Sequence, residues 1–187
     1  MARRTLVDID EKMIDAAIQI GGEEGINEIT SRKIARMCDI TDPLIFVHFG
    51  TMDNLLTIAY KKLCSDMLRA AQHLGVTGEE GNLKEKWPSI IAYFTNHPNL
   101  TKFLYNAIHS KYGMSVPEDF KEFFINIIVN SVNAFNPNTS IEDCRVFYYL
   151  TLESLLHFCV RIINGELEMN QNNLNIGYKV VFGGYNI

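Results

Sequence analysis

The sequence predicts an all-α fold. Apolar residues recur at three- and four-residue spacing along most of the chain, and no strand-like alternation persists. Proline, glycine and capping residues punctuate those stretches at helical lengths. At 187 residues there is room for a small domain joined to a larger one. The expected architecture has about nine helices. An N-terminal three-helix helix-turn-helix domain over 1–53 leads through a long helix into a C-terminal helical bundle over 54–187.

The first helix is expected over Ile9 to Ile20, with Ile9, Met13, Ala16, Ala17 and Ile20 on one face. Gly21-Gly22-Glu23-Glu24-Gly25 is read as its end; no strand precedes these glycines and no G-K-[ST] follows, so they are not a phosphate loop. Thr30 is a hydroxyl at an N-cap position, before a short helix whose apolar stripe is Ile34, Ala35 and Met37. Cys38-Asp39-Ile40 leads out of it. Thr41 offers a second cap, Asp42 suits the positive helix end, and Pro43 is tolerated in a first turn. Leu44 to Phe49 complete that helix and Gly50 breaks it. Two short helices about a tight turn, the first carrying Arg32, Lys33 and Arg36, have the layout of a DNA-binding helix-turn-helix.

Thr51 caps a long helix reaching Leu74, with Leu55, Leu56, Ala59, Leu63, Met67 and Ala70 on one side. Gly75 to Asn82 is the clearest loop. Further helices are expected over Leu83 to Thr95, with Trp87-Pro88 inside it, and over Pro98 to Lys111. Ser115 and Glu118 read as a capping box before Phe120 to Phe135; Thr139 and Glu142 read as another before Ile141 to Ile163. Asn170 to Phe182 is a weaker terminal helix.

Several residues carry a resemblance. Gly25-Ile26-Asn27-Glu28-Ile29-Thr30, Ile34-Ala35, Ile40-Thr41-Asp42-Pro43-Leu44-Ile45-Phe46, His48-Phe49 and Leu55-Leu56 resemble the N-terminal domain of TetR-family transcriptional regulators over about the first third of the chain. The resemblance implies binding to double-stranded operator DNA as a homodimer, with variable C-terminal helices that hold a small-molecule inducer. Phosphate contacts would come from Arg32, Lys33 and Arg36, with Arg3 and Arg4 as a flexible arm. Thr30 and Thr51 cap the helices that frame this motif and are included in the DNA-binding set. Thr41, Asp42, Leu44, Phe46, Val47 and His48 would face the groove, where the apolar ones can meet thymine methyl groups. For His48 two readings stand, a phosphate contact or a packed imidazole. Members of the family commonly carry tyrosine where this chain has Phe46 and lysine where it has Met52. The expected phosphate grip is therefore weaker than the family's usual one. A second reading follows from the same departures: an interaction or co-regulator protein that keeps the fold without independent DNA binding.

Charge bears on that choice. The chain carries a formal net charge of −5, and residues 1–60 hold six basic side chains against ten acidic ones. Phosphate contacts supply most non-specific affinity for DNA, so binding has to rest on local arrangement of the cations.

Seventeen of the twenty aromatic residues lie beyond residue 60, which provides material for a core or a pocket. Trp87, Phe94, Phe103, Tyr105, Phe124 and Tyr148 are candidates to line a site for a flat, apolar or aromatic effector, and equally candidates for core packing. Such an effector would release a repressor from its operator. The stretch 141–163 is apolar almost all round, so it has to be covered on more than one side. It is either the centre of a bundle or a helix shared between core and partner. The resemblance favours the second, with Tyr148, Leu152, Leu155, Cys159 and Ile162 at a dimer interface.

Enzymatic function is not expected. No nucleophile elbow, H-E-x-x-H, Walker loop or dinucleotide fingerprint occurs. Cys38, Cys64, Cys144 and Cys159 lack C-x-x-C spacing and the histidines form no H-x-x-x-H pair, so neither a metal nor a cofactor is expected. No apolar run approaches the roughly 20 residues a bilayer requires, and the N-terminus turns acidic before a signal-peptide core could form. A cytoplasmic protein without a membrane partner is the expectation.

Overall fold

A computed structural model describes residues 6–79, 81–133 and 138–182. Among them there is no strand, and nine α-helices follow one another: α1 (Leu6–Glu23), α2 (Ser31–Cys38), α3 (Asp42–Phe49), α4 (Met52–His73), α5 (Asn82–Asn96), α6 (Pro98–Ile108), α7 (Glu118–Asn133), α8 (Ile141–Ile163) and α9 (Gln171–Phe182). The all-α architecture expected from the sequence is present.

The chain divides into two compact units. One runs to Leu63 and takes back Asn99–Val116; the other comprises Cys64–Pro98 and Pro117–Ile187. This differs from a split at residue 53, because α6 and the 3₁₀ turn Lys111–Ser115 belong with the N-terminal helices. The helix α4 contributes to both units.

In the first unit α1 packs on α2, and α2 on α3, over a core that includes Met13, Ala17, Ile34, Ile45, Leu55, Ala59, Phe103 and Leu104. The expected stop at Gly21 is overturned: α1 continues through Gly21 and Gly22 to Glu23. Packing explains why glycine sits there. A Cβ on Gly22 would lie 2.4 Å from the Asn99 backbone, and one on Gly21 would lie 2.5 Å from the Phe103 ring. The glycines admit α6 against α1, at a cost of about 1 kcal/mol each in helix propensity. Asn99 Nδ2 then donates to Glu23 Oε1 at 3.2 Å.

In the second unit α8 packs against α5, α7 and α9. The Trp87 indole N–H donates to the Leu174 carbonyl at 2.7 Å and its ring packs among Phe158, Tyr178 and Phe182, fixing α5 to α8 and α9. Ser140, not Thr139, caps α8: its hydroxyl accepts from the Asp143 N–H at 3.1 Å. Ser115 closes the 3₁₀ turn and is not the cap of α7. By length and composition α8 is long and apolar enough to cross a membrane, which corrects the reading of its sequence. Its Cys144, Tyr148, Leu156 and Cys159 stripe is buried, while Glu153 and Arg161 stand exposed on the other side. A bundle helix with a second apolar face explains that composition.

Candidate nucleic-acid interface and effector cavity

The turn between α2 and α3 is set by Asp39, which adopts the left-handed conformation (φ 55°). That geometry brings the Asp39 and Ile40 N–H groups onto the Ala35 carbonyl, closing α2 and releasing the chain into α3. Thr30 caps α2 as expected, its hydroxyl accepting from the Lys33 N–H at 3.3 Å. Thr41 stands at the N-cap of α3 but makes no side-chain cap bond, so the second expected cap is absent there. Thr51 accepts from the Asn54 N–H at 3.1 Å and caps α4. Thr30 and Thr51 thus spend their oxygens on capping.

Arg32 and Arg36 lie one helical turn apart on α2 and are both exposed. Lys33 is not equivalent to them. Its ammonium meets Glu24 at 2.8 Å and Glu28 at 3.4 Å, and the Glu24 bond pushes its pKa further above the ordinary lysine range. A cation held by two carboxylates has little left for a phosphate. Arg3 and Arg4 lie outside the described residues.

On α3, Ile45 and Phe49 are buried, and Pro43, Phe46 and Val47 are exposed on the opposite face. Leu44 and Asp42 are half-buried. One oxygen of Asp42 is buried with no hydrogen-bond partner. His48 resolves in favour of the packed reading. Its Nδ1 lies 2.5 Å from Asp10 Oδ1, with the imidazole only 10% exposed. Asp10 is a partner that no local pattern could have revealed, being 38 residues away.

A second feature missed from the sequence anchors the start of α4. Asp53 accepts from Lys111 Nζ at 2.6 Å and from Tyr112 Oη at 2.8 Å. The lysine bond, then the phenol bond, hold the Asp53 carboxyl below its usual range; burial, then Asp53, pushes the Tyr112 phenol up to about 12.

The second unit contains an apolar cavity of about 80 Å³. Of the six aromatic residues expected to line a pocket, Phe94, Phe124 and Tyr148 do. Trp87 instead ties α5 to α9. Phe103 packs beside Gly21 in the first unit, and Tyr105 of α6 pairs there with His109, just beyond the helix end. The remaining walls include Met67, Ala70 and Leu74 of α4, Ile128 of α7, and Leu152 and Leu155 of α8. The α4 stripe was legible as apolar, but nothing in one stripe distinguishes a cavity wall from a filled core.

The expected dimer stripe also needs correction. Tyr148, Leu152 and Leu155 line the cavity and Cys159 is fully buried, so these residues serve the chain's own bundle. Ile162 is half-buried. Between roughly half and three-quarters exposed are Val146, Tyr149 and Leu150 of α8 and Ile176 and Val180 of α9. An all-round apolar helix does not say from its periodicity which side is inward.

An all-α chain whose first unit presents two short helices about a three-residue turn is a helix-turn-helix protein. Residues 13–57 match the family described as bacterial regulatory proteins, tetR family. The chain is 24% identical over 106 residues to the "Probable HTH-type transcriptional regulator YttP" of Bacillus subtilis (strain 168), covering 54% of this chain and 51% of that protein. It thus spans about half the length of the curated relative it matches. A TetR-like transcriptional regulator from Rhodococcus sp. RHA1 superposes with a TM-score of 0.69 at 18% identity, over 97% of this chain and 98% of that one. The corresponding values for a TetR-family regulator from Shewanella sp. PV-4 are 0.70, 14%, 94% and 97%. For FadR of Bacillus subtilis, solved in complex with stearoyl-CoA, they are 0.62, 15%, 91% and 95%. Residues 13–57 thus resemble the regulatory domain of the tetR family, and the chain shares the fold of the solved TetR-like structures.

Proposed function

We propose that this protein is a DNA-binding transcriptional regulator, a repressor that leaves its operator when a small apolar or aromatic effector occupies the cavity of its second unit. The observation that carries this reading is the α2–α3 pair within the family match, with Arg32 and Arg36 exposed one turn apart beside the exposed face of α3. The cavity supports the effector half of the proposal, since no charged side chain lines it. FadR, a structural neighbour, holds stearoyl-CoA, a molecule with a long hydrocarbon portion. The exposed apolar strip on α8 and α9 supports action as a homodimer. The cytoplasm, where operator DNA lies, is the compartment that suits this role.

The test is a gel-shift titration with genomic promoter fragments across a range of salt concentrations, with and without lipophilic and aromatic compounds. A regulator gives a steep loss of affinity with salt, at about 0.9 logarithmic units per phosphate neutralised. It also gives release by at least one compound. Lys33, held by Glu24 and Glu28, favours the alternative of an interaction protein that has kept the fold without the DNA binding. Failure to shift any fragment at low salt, with compounds still raising the melting temperature, selects that alternative.

A further inference from the structure

We propose that α3 reads its operator chiefly through the 5-methyl groups of thymine, with Val47 and Phe46 as the specificity-determining residues and no side-chain donor aimed at a base edge. The inference rests on the DNA-binding reading above and adds what that binding selects.

The geometry of α3 leaves few alternatives. Ile45 and Phe49, four residues apart, are 0% and 6% exposed and fix which side of the helix is inward. Pro43, Phe46 and Val47 stand at the i, i+3 and i+4 positions of the other side, and all three are exposed. Val47, at 77% exposure, stands out further than Phe46 at 44%. None of the three has a nitrogen or oxygen in its side chain. His48, which could have donated from a ring nitrogen, is held inward on Asp10. Asp42 can only accept, and one of its oxygens is buried. The exposed hydroxyl of Thr41 is the one remaining polar group at the start of the helix, and a hydroxyl serves as donor or acceptor without choosing between bases.

The major groove shows a helix three kinds of group: acceptors, donors and one apolar group, the thymine methyl. A face without N–H cannot pair with the guanine O6 and N7 or the adenine N7 acceptors. It gains instead by removing a methyl group from water, which is worth about a fourfold change in affinity per contact. Attachment to phosphates falls to Arg32 and Arg36 on α2, which position the helix without reading sequence.

The experiment begins with an operator selected from random duplex DNA at low salt. Each thymine is then replaced by deoxyuridine, which removes the C5-methyl and nothing else. The expected result is at least one thymine whose replacement lowers affinity about three- to fivefold while the salt slope is unchanged. Val47→Ala, a change at a well-exposed position, is expected to bind the thymine and deoxyuridine duplexes alike. Arg36→Ala is expected to weaken both by the same factor. If deoxyuridine is tolerated at every position while sequence selectivity persists, the inference is overturned and the DNA-binding reading stands. If no duplex is bound at any salt, both fall, and the apolar face of α3 belongs to a protein partner.

Discussion

His48 and Asp10 join α3 to α1: the imidazole Nδ1 lies 2.5 Å from the carboxylate Oδ1 and is almost wholly covered, while the carboxylate is 43% exposed. A histidine that a family motif could assign to phosphate is here a structural tether inside the small unit. Asp10→Ala is expected to lower the free energy of unfolding by about 1 kcal/mol, measured by urea titration. The salt slope of DNA binding should not change. If His48→Ala instead lowers the salt slope by about one unit with stability intact, His48 returns to the phosphate-contact reading.

Lys33 offers a gain-of-function test. Replacing Glu24 and Glu28 together by glutamine keeps the shape and removes both charges that hold the ammonium. DNA binding should tighten, and its salt slope should steepen by about one unit. If the slope is unaltered, Lys33 does not reach the duplex when freed.

The Asp53, Lys111 and Tyr112 cluster predicts stability losses at both ends of the pH range. Asp53 has its folded pKa lowered, so its contribution is present above the ordinary carboxylate pKa and is lost as pH falls through the folded value. Tyr112 has its folded pKa raised from 10.0 to about 12, so its contribution is full below pH 10 and is lost as pH climbs to about 12. Melting temperature measured against pH should therefore fall on both sides. Tyr112→Phe should flatten the alkaline limb, and a wild-type alkaline fall that survives in this variant would assign it elsewhere.

Two leucines on α8 separate assembly from folding. Leu150 is 58% exposed, whereas Leu155 lines the apolar cavity. Leu150→Glu is expected to yield a folded monomer by sedimentation at micromolar concentration, with little change in melting temperature. Leu155→Glu is expected to lower the melting temperature itself, because a charge placed against an apolar wall has no partner. A dimer that persists in Leu150→Glu would remove this strip from the interface.

The helices were legible in the sequence because their signals are local. Thr30, Pro43 and Gly50 mark boundaries within a turn of where they act, and the structure keeps those boundaries. Gly22 shows the limit: its sequence neighbours suggest a stop, and only the arrival of Asn99, 77 positions later, shows that it is a clearance. Arg32 and Arg36 could be read as exposed cations from their own helix, but Lys33 could not, since its two partners lie on a preceding turn. The pocket residues divided by unit. Phe94, Phe124 and Tyr148 line the cavity, whereas Phe103 and Tyr105 belong to a helix that the chain returns to the N-terminal unit. A pattern along one helix gives its inward stripe, and it does not name the neighbour.

The clearance at Gly21 and Gly22 bears on how this protein can be cut and recombined. A fragment ending near residue 53 or 63 would carry a helix shaped to receive α6 with nothing to receive, leaving the seat of Phe103 open to water. The portable N-terminal unit is therefore discontinuous in sequence. Hybrids made by exchanging the first third of the chain with a relative would have to exchange 99–116 with it, or accept a mismatched seam at every pairing of a bulky residue with a glycine.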